Sequence, residues 1–218
     1  MSSPADADTP ARSHTTHPGT LAYYERNADE YFAATAHVNA RALYDPFLKA
    51  LPPGARILDA GCGSGRDTRA FTQLGYRVTA IDASPGLAQR AAAFTGQPCA
   101  VLPFEELTFE NAFDGIWACA SLVHVPQRDV PDIVRRFMGA LAPGGVLYLS
   151  LREGEGERIE PDGRFYSYYT APAFRDAIGA VPSCQERTFW ITNDLHRSAQ
   201  VPRWLNFLFE KPELRKRT

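Results

Sequence analysis

The chain has 218 residues, 44% of them hydrophobic and 22% charged, a composition typical of a globular protein. This length suits one α/β domain with appendages, and a formal net charge of -2 gives no global basic field that would recruit nucleic acid. No apolar run approaches membrane-spanning length, and residues 1–19 lack the apolar segment of a signal peptide, so we expect a flexible tail there and a cytoplasmic protein away from the membrane.

The cysteines and histidines give no sign of a metal site. The cysteines form no C-x-x-C pair, which favours reduced thiols in a reducing compartment. The five histidines show no ligand spacing, so we expect no bound metal. The four cysteines are Cys62, Cys99, Cys119 and Cys184.

The first half of the chain begins with an aromatic-rich helical pattern over 21–51, which Pro52-Pro53-Gly54 ends. A predicted strand over 56–60 then runs into alternating glycines, Gly61-Cys62-Gly63-Ser64-Gly65. Glycines there let the backbone turn sharply and approach a ligand closely. A second apolar run, 78–81, ends in Asp82, placed to accept hydrogen bonds from a ribose diol. This arrangement predicts an adenosine-bearing cofactor.

The charge beside the glycines narrows the choice of cofactor. A dinucleotide-binding turn receives a pyrophosphate at the following helix N-terminus. Asp59, two residues before Gly61, would repel a pyrophosphate but suits a cationic ligand. S-adenosylmethionine carries both a sulfonium and an ammonium, so the pattern favours it over a nicotinamide dinucleotide.

Strand and helix patterns alternate through the rest of the chain. Ser84-Pro85 predicts a helix start, as does Asp129, and Thr170 starts a further helix to about residue 178. Predicted strands are 99–102, 113–120, 146–151, 185–192 and 203–209, and residues 153–168 are interpreted as a polar loop. Because no helix separates the last two strands, they should pair antiparallel. We therefore predict an α/β, Rossmann-like fold with a seven-stranded, mostly parallel sheet, its last strand reversed and helices on both faces.

The glycine segment resembles motif I of the class I S-adenosylmethionine-dependent methyltransferases, with Asp82 at their ribose-binding acid. Phe113-Asp114 resembles the start of the family's fourth strand, and the segment 141–145 resembles its "LKPGG" turn. Tyr23-Tyr24-x-x-x-Ala28-x-x-Tyr31 resembles its "YD-x-x-A-x-x-Y" element, whose tyrosines close over the cofactor carboxylate. The likeness is to the small-molecule branch that includes quinone-biosynthesis and tellurite-resistance methyltransferases.

The resemblance implies a set of cofactor-binding residues. The backbone at the first two glycines would pass beside the cofactor, and Asp59 would hold its amino end directly or through water. Pro103 stands where the family often has Asp, which leaves the adenine contact to the Phe104 amide or Glu105. The whole implied set is Tyr24, Tyr31, Asp59, Gly61, Gly63, Asp82, Ala83, Phe104, Glu105, Cys119 and Ala120.

Candidates for chemistry lie after the fourth and fifth predicted strands. His124 would open toward an acceptor pocket, as a general base or as a packing residue. Arg152, Arg164 and Tyr166 could hold an anionic or aromatic acceptor, or belong to a solvated loop with self-paired charges. Cys119 is interpreted as a small packing residue, since Ala118 replaces the proline of cysteine-dependent pyrimidine methyltransferases.

These observations predict a methyltransferase that acts on a small molecule and produces S-adenosylhomocysteine. Two alternatives stay open: a non-catalytic sensor or scaffold that binds the same cofactor, and an NAD-dependent oxidoreductase. The predicted domain spans 20–212, between flexible tails 1–19 and 213–218, in a monomer or homodimer.

Overall fold

The computed structural model describes residues 16–193 and 203–213. The helices are α1 (Pro18–Arg26), α2 (Ala28–Thr35), α3 (Arg41–Leu48), α4 (Arg66–Gln73), α5 (Pro85–Thr95), α6 (Val130–Ala140) and α7 (Ala171–Ile178). The strands are β1 (Arg56–Ala60), β2 (Arg77–Asp82), β3 (Cys99–Val101), β4 (Phe113–Ala118), β5 (Leu141–Glu153), β6 (Glu157–Ile159), β7 (Phe165–Tyr169), β8 (Gln185–Thr192) and β9 (Trp204–Glu210).

One mostly parallel sheet forms the centre of the fold. Its first five strands lie in the order β3-β2-β1-β4-β5, all parallel. Strand β9 then pairs antiparallel with residues 146–152 of β5, and β8 pairs antiparallel with β9. The predicted Rossmann-like sheet with a reversed last strand is confirmed, and the order reverses beside β1, where ligands bind in such sheets.

The predicted strand number was too low. Within the described ranges the sheet has nine strands and not seven, because the segment predicted as a polar loop folds into the β6–β7 hairpin. Strand β7 also pairs in parallel with the end of β5. Tyr166, Tyr168 and Tyr169 are buried there despite their polar neighbours, since the rings supply apolar area.

The N-terminal boundary also differs from the prediction. Helix α1 begins at Pro18, inside the predicted tail, and His17 Nδ1 accepts a hydrogen bond from the Gly19 amide at 3.1 Å. Residues 1–15 lie outside the described residues, as do residues 214–218 of the predicted C-terminal tail. The helical pattern over 21–51 is divided among α1, α2 and α3.

Helix α5 begins beside the end of β2, as the sequence predicts. Ser84 Oγ accepts a hydrogen bond from the Leu87 amide at 3.1 Å, and Pro85 is the first helical residue. Asp129, predicted as a similar cap for α6, makes no capping hydrogen bond through its side chain. None of the helices described above is long and apolar enough to cross a membrane.

Candidate active site

A cavity opens at the carboxyl ends of β1, β2 and β4, the edge at which parallel sheets of this kind bind ligands. It brings together all the predicted cofactor residues except Asp59 and Glu105, and His124 lies in its wall. The predicted residues that line it are Tyr24, Tyr31, Gly61, Gly63, Asp82, Ala83, Phe104, Cys119 and Ala120.

The glycine turn between β1 and α4 forms one wall of this cavity. Gly61, Gly63 and Gly65 have φ values of +77°, +55° and +78°, in the left-handed region that disfavours a Cβ. A Cβ on Gly61 would also lie 2.5 Å from Ser121 Cβ. The amides of Gly61 and Cys62 both donate to the Ile81 carbonyl oxygen at 2.9 Å, which holds the turn against β2.

Gly61→Ala is therefore expected to distort the turn and abolish measurable binding of an adenosyl cofactor, with a loss of about 2 kcal/mol in the free energy of unfolding. Calorimetry and urea unfolding measure the two effects. Gly139→Ala is the matched control, because a Cβ there meets no atom within 4 Å. That helical substitution is expected to raise stability by roughly 0.5–1 kcal/mol. Equal cofactor affinity and equal free energy of unfolding in the two variants would contradict the role assigned to the turn.

Asp82 joins the end of β2 to the glycine turn. Its Oδ2 accepts a hydrogen bond from the Gly63 amide at 2.8 Å, and its Oδ1 accepts one from the Ser84 amide at 2.9 Å. Burial raises its pKa. Each carboxylate oxygen has two lone pairs, so capacity remains to accept hydrogen bonds from a ligand in the cavity.

Asp59 lies behind the turn and not at the cavity wall. Its Oδ2 accepts a hydrogen bond from Thr68 Oγ1 at 2.5 Å, and only 2% of the residue is exposed. Burial and the neighbouring Asp67 raise its pKa to about 7. The burial of Asp59 behind the cavity wall disfavours the direct contact with a cofactor amine, and the contact through water stays a prediction. Glu105 lies on the short turn after β3, also outside the lining.

An ion pair of the buried Asp67 with the partly buried Arg66 follows the glycine turn, and the sequence interpretation missed it. Arg66 Nε and Nη2 donate to Asp67 Oδ1 and Oδ2 at 2.7 and 2.8 Å. Tyr44 Oη and Trp117 Nε1 donate to the same carboxylate at 2.6 and 2.8 Å. Burial alone would raise the pKa of Asp67, but these partners lower it. The arginine and aspartate directly follow Gly65 in the sequence, a signal that could have identified them.

The ion pair borders a second cavity that adjoins the first. The two cavities share Tyr31, Gly61, Cys119 and Ala120 in their walls. Arg66 lies in the wall of the second, with Nη2 3.9 Å from Cys119 Sγ. A positive group thus lies beside the residues predicted to meet the methionine portion of the cofactor.

His124 is held in one tautomer by its neighbours. Its Nδ1 lies 2.7 Å from the Phe165 carbonyl oxygen, which can only accept, so Nδ1 carries the proton. The unprotonated Nε2 then accepts a hydrogen bond from Tyr24 Oη at 2.8 Å. Burial lowers the pKa of His124 to about 4, which leaves the ring neutral near pH 7.

The buried imidazole makes stability pH-dependent. An unfolded histidine protonates near pH 6.5, whereas His124 in the folded state protonates near pH 4, so its contribution is present above pH 6.5 and is lost as the pH falls toward 4. The loss between pH 7 and pH 5 is expected to be roughly 2 kcal/mol. Urea unfolding of wild type and His124→Gln at both pH values measures this loss. The difference between their free energies of unfolding should be about 2 kcal/mol smaller at pH 5 than at pH 7. The same difference in free energy of unfolding at both pH values would contradict the claim that His124 is buried and neutral in the folded protein.

The three predicted acceptor residues lie around the same histidine. The Tyr166 ring centroid is 4.5 Å from that of His124, and the Arg152 guanidinium carbon lies 4.0 Å from the Tyr166 centroid. Arg164 Nη1 donates to Tyr24 Oη at 3.4 Å and pairs with Asp162 at 2.6 Å. None of the three lines the first cavity; they form a layer beside it.

The sheet order and the glycine turn are those of a Rossmann-like fold, and sequence comparison adds a partial match to a methyltransferase family. Residues 58–149 match a family described as a methyltransferase domain. The ubiquinone biosynthesis O-methyltransferase of Xanthomonas campestris pv. campestris (strain B100) is 38% identical over 105 residues, 45% of this chain and 43% of the relative. That of Xanthomonas axonopodis pv. citri (strain 306) is 38% identical over 106 residues, 45% and 44% of the two chains. The match thus spans less than half the length of these relatives.

Solved structures show the same fold over more of the chain. The 1,6-didemethyltoxoflavin-N1-methyltransferase of Burkholderia thailandensis, solved with 1,6-didemethyltoxoflavin and S-adenosylhomocysteine, has a TM-score of 0.74 and 24% identity, covering 89% of this chain and 88% of its own. The [4+2]-cyclase SpnF has a TM-score of 0.70 and 18% identity, covering 94% and 98%. The domain match covers residues 58–149, less than half of the chain, and these solved structures, each under 25% identical, show that the chain shares their fold.

Proposed function

We propose that the protein transfers the methyl group of S-adenosylmethionine to a small-molecule acceptor and releases S-adenosylhomocysteine. The observation that carries this proposal is the convergence of the glycine turn, the Asp82 carboxylate and the end of β4 on one cavity. The family match and the relatives named as methyltransferases support it. The cavity also has His124 in its wall, so a proton acceptor lies near the proposed site of transfer.

The residues present fit this cofactor. Asp82 would take the ribose hydroxyls, Ala83 and Phe104 would flank the adenine, and the backbone at Gly61 and Gly63 would pass beside the nucleoside. Cys119, Ala120 and the Arg66 guanidinium would face the methionine portion, with Tyr24 and Tyr31 as a lid. Ser121 Oγ, in the cavity wall, is buried and has no hydrogen-bond partner among the described residues. A polar ligand in the cavity would satisfy that hydroxyl.

The lid proposal is supported by how α1 and α2 are fastened. Glu25, on α1, accepts hydrogen bonds from Ser84 Oγ and from the Gly86 amide, the latter at 2.9 Å. Tyr24 and Tyr31 pack edge to face, with ring centroids 5.1 Å apart. The aromatic wall is thereby positioned over the glycine turn, where it would exclude water from the reacting centre.

The bound cofactor supplies a methyl group already activated by the sulfonium. The protein then has to align the acceptor with that carbon and remove a proton where the nucleophile is protonated. His124 Nε2 has the lone pair that this second task needs, and it accepts a hydrogen bond from Tyr24 Oη, which also lines the cavity. We propose His124 as the general base, with Tyr24 passing the proton to it.

The layer of Arg152, Arg164 and Tyr166 supports an aromatic or anionic acceptor. Both guanidinium groups lie over the Tyr166 ring, with Arg164 5.2 Å from its centroid. A planar acceptor bound beside this layer could stack on the same guanidinium groups or on the Tyr166 ring. Oxygen and nitrogen nucleophiles are both candidates, since relatives are named for O-methylation and a fold neighbour for N-methylation.

A second candidate is a sensor or scaffold that binds the cofactor without transferring its methyl group. The observation that favours it is the low pKa of His124, which makes the imidazole a weak base. An NAD-dependent oxidoreductase has less support, because the buried Asp59 and Asp67 carboxylates lie behind the turn that would receive a pyrophosphate. A cytoplasmic location, a monomeric or dimeric state and a domain over 20–212 remain sequence predictions.

Transfer of isotope tests the proposal. The protein is incubated with methyl-labelled S-adenosylmethionine and a metabolite extract, and products are identified by mass spectrometry. We expect label in a small molecule and accumulation of S-adenosylhomocysteine, both lost in Asp82→Ala. Saturable cofactor binding without label transfer to any acceptor would favour the sensor, and binding of NADH in place of both adenosyl cofactors would favour the oxidoreductase.

A further inference from the structure

Two cysteines that are 37 positions apart in the sequence meet behind the glycine turn. Cys62 Sγ and Cys99 Sγ lie 3.3 Å apart. Both are free thiols. Cys62 lies between Gly61 and Gly63, and Cys99 is the first residue of β3. The sulfurs would have to approach by more than ~1 Å to reach disulfide length, a movement that side-chain rotation or a small backbone shift can supply.

The surroundings give the two sulfurs different reactivities. Cys62 is packed against Ala80, Ala91 and Cys99 and is only 9% exposed. Its hydrogen bond with Cys99, together with burial, raises the pKa of the Cys62 thiol. Cys99 is half-buried, on a three-residue strand at the sheet edge. An oxidant in solution therefore reaches Cys99 first, and Cys62 is placed to attack the oxidised sulfur.

Movement of Cys62 would be transmitted to the cavity wall through the backbone. The Cys62 amide donates to the Ile81 carbonyl oxygen, and the Cys62 carbonyl oxygen accepts from the Gly65 amide, both at 2.9 Å. The next residue, Gly63, donates to Asp82. A bond from Cys62 to Cys99 would pull this segment toward β3.

We propose that Cys62 and Cys99 form a reversible disulfide that couples the cofactor turn to peroxide or disulfide oxidants. With hydrogen peroxide, the Cys99 thiolate takes one peroxide oxygen to give a sulfenic acid, and the other oxygen leaves as hydroxide and becomes water. The Cys62 sulfur then attacks the Cys99 sulfur, which expels a second water. Two thiols are oxidised by two electrons, and one peroxide is reduced to two waters. With glutathione disulfide, the Cys99 thiolate bonds to one glutathione sulfur and expels the other glutathione as a thiolate, and Cys62 then attacks the Cys99 sulfur and expels the second glutathione.

Thiol trapping tests the disulfide directly. The reduced full-length protein is treated with hydrogen peroxide or glutathione disulfide, unfolded, alkylated with iodoacetamide and digested for mass spectrometry. We expect a peptide pair joined through Cys62 and Cys99, the loss of two alkylatable thiols per chain, and full reversal by dithiothreitol. Cys184→Ser should behave as wild type, and Cys99→Ser should lose the cross-link. Recovery of Cys99 only as a glutathione adduct or sulfinic acid, with Cys62 still alkylatable, would overturn the proposal.

The coupling to the turn is tested by calorimetry with S-adenosylhomocysteine, and this arm rests on the proposed function. The oxidised protein is expected to bind about tenfold more weakly than the reduced protein, a coupling of ordinary size between linked sites. Oxidant-treated Cys99→Ser should keep the affinity of its reduced form. Equal affinities for oxidised and reduced wild type would overturn the coupling. A reduced protein that binds no adenosyl cofactor would refute the proposed function, whereas the cross-link result would stand by itself.

Discussion

Asp82→Ala is expected to weaken the binding of S-adenosylhomocysteine roughly a hundredfold, because hydrogen bonds to a charged group contribute ~1.5–3 kcal/mol each. The variant removes the proposed acceptor for the ribose hydroxyls. It also removes the acceptor for the Gly63 amide of the glycine turn, at 2.8 Å, and for the Ser84 amide at the start of α5, at 2.9 Å. Isothermal titration calorimetry measures the loss with both adenosyl cofactors.

The control for that experiment is Asp132→Ala. Asp132 lies on α6 with 72% of its side chain exposed and pairs with Arg135 on the surface. Its removal changes net charge by the same amount as Asp82→Ala and leaves the cavity untouched, so affinity should stay within about twofold of wild type. Affinity that falls equally in both variants, or in neither, would contradict the role assigned to Asp82.

Asp67→Ala is expected to produce the largest loss of stability, roughly 4 kcal/mol in the free energy of unfolding. The substitution leaves the Arg66 guanidinium, whose side chain is 19% exposed, without its carboxylate, and it removes the buried acceptor of Tyr44 Oη and Trp117 Nε1. Removing one partner of a buried pair costs far more than the pair contributes, because the remaining charge is still desolvated. The midpoint of thermal unfolding should fall by about 10 °C.

Asp45→Ala provides the comparison for Asp67. Its carboxylate pairs with Lys49 one helical turn away, and 72% of its side chain is exposed. Such surface pairs contribute ~0–1 kcal/mol, so the thermal midpoint should move by less than about 3 °C. A similar shift for both variants would show that burial of the Arg66–Asp67 pair is not what makes it important.

Local signals made much of the fold and cavity predictable. The glycine turn, the Ser84-Pro85 helix start and Asp82 at the end of β2 each depend on neighbouring residues, and the structure has all three. Each is a backbone requirement that a few adjacent residues satisfy. The reversed strand β9 was predictable because no helix pattern separates it from β8.

Features that depend on tertiary contacts could not be read from the sequence. The β6–β7 hairpin buries tyrosines that stand among charged residues in the sequence. The overall polar composition of this segment predicts a loop. Asp59 lies near the end of an apolar strand, just before the glycines, which made it a candidate ligand contact. Only the fold shows that its carboxylate accepts a hydrogen bond from Thr68. The approach of Cys99 to Cys62 depends on the order of β3, β2 and β1 in the sheet.

The central claim is that the turn and Asp82 hold the nucleoside of S-adenosylmethionine. A crystal structure of the protein with S-adenosylhomocysteine tests it most directly. We expect both ribose hydroxyls within hydrogen-bond distance of the Asp82 carboxylate, the adenine beside Phe104, and the sulfur facing Cys119 and Ala120. A nucleoside bound elsewhere on the protein, or a ribose that makes no contact with Asp82, would contradict the account.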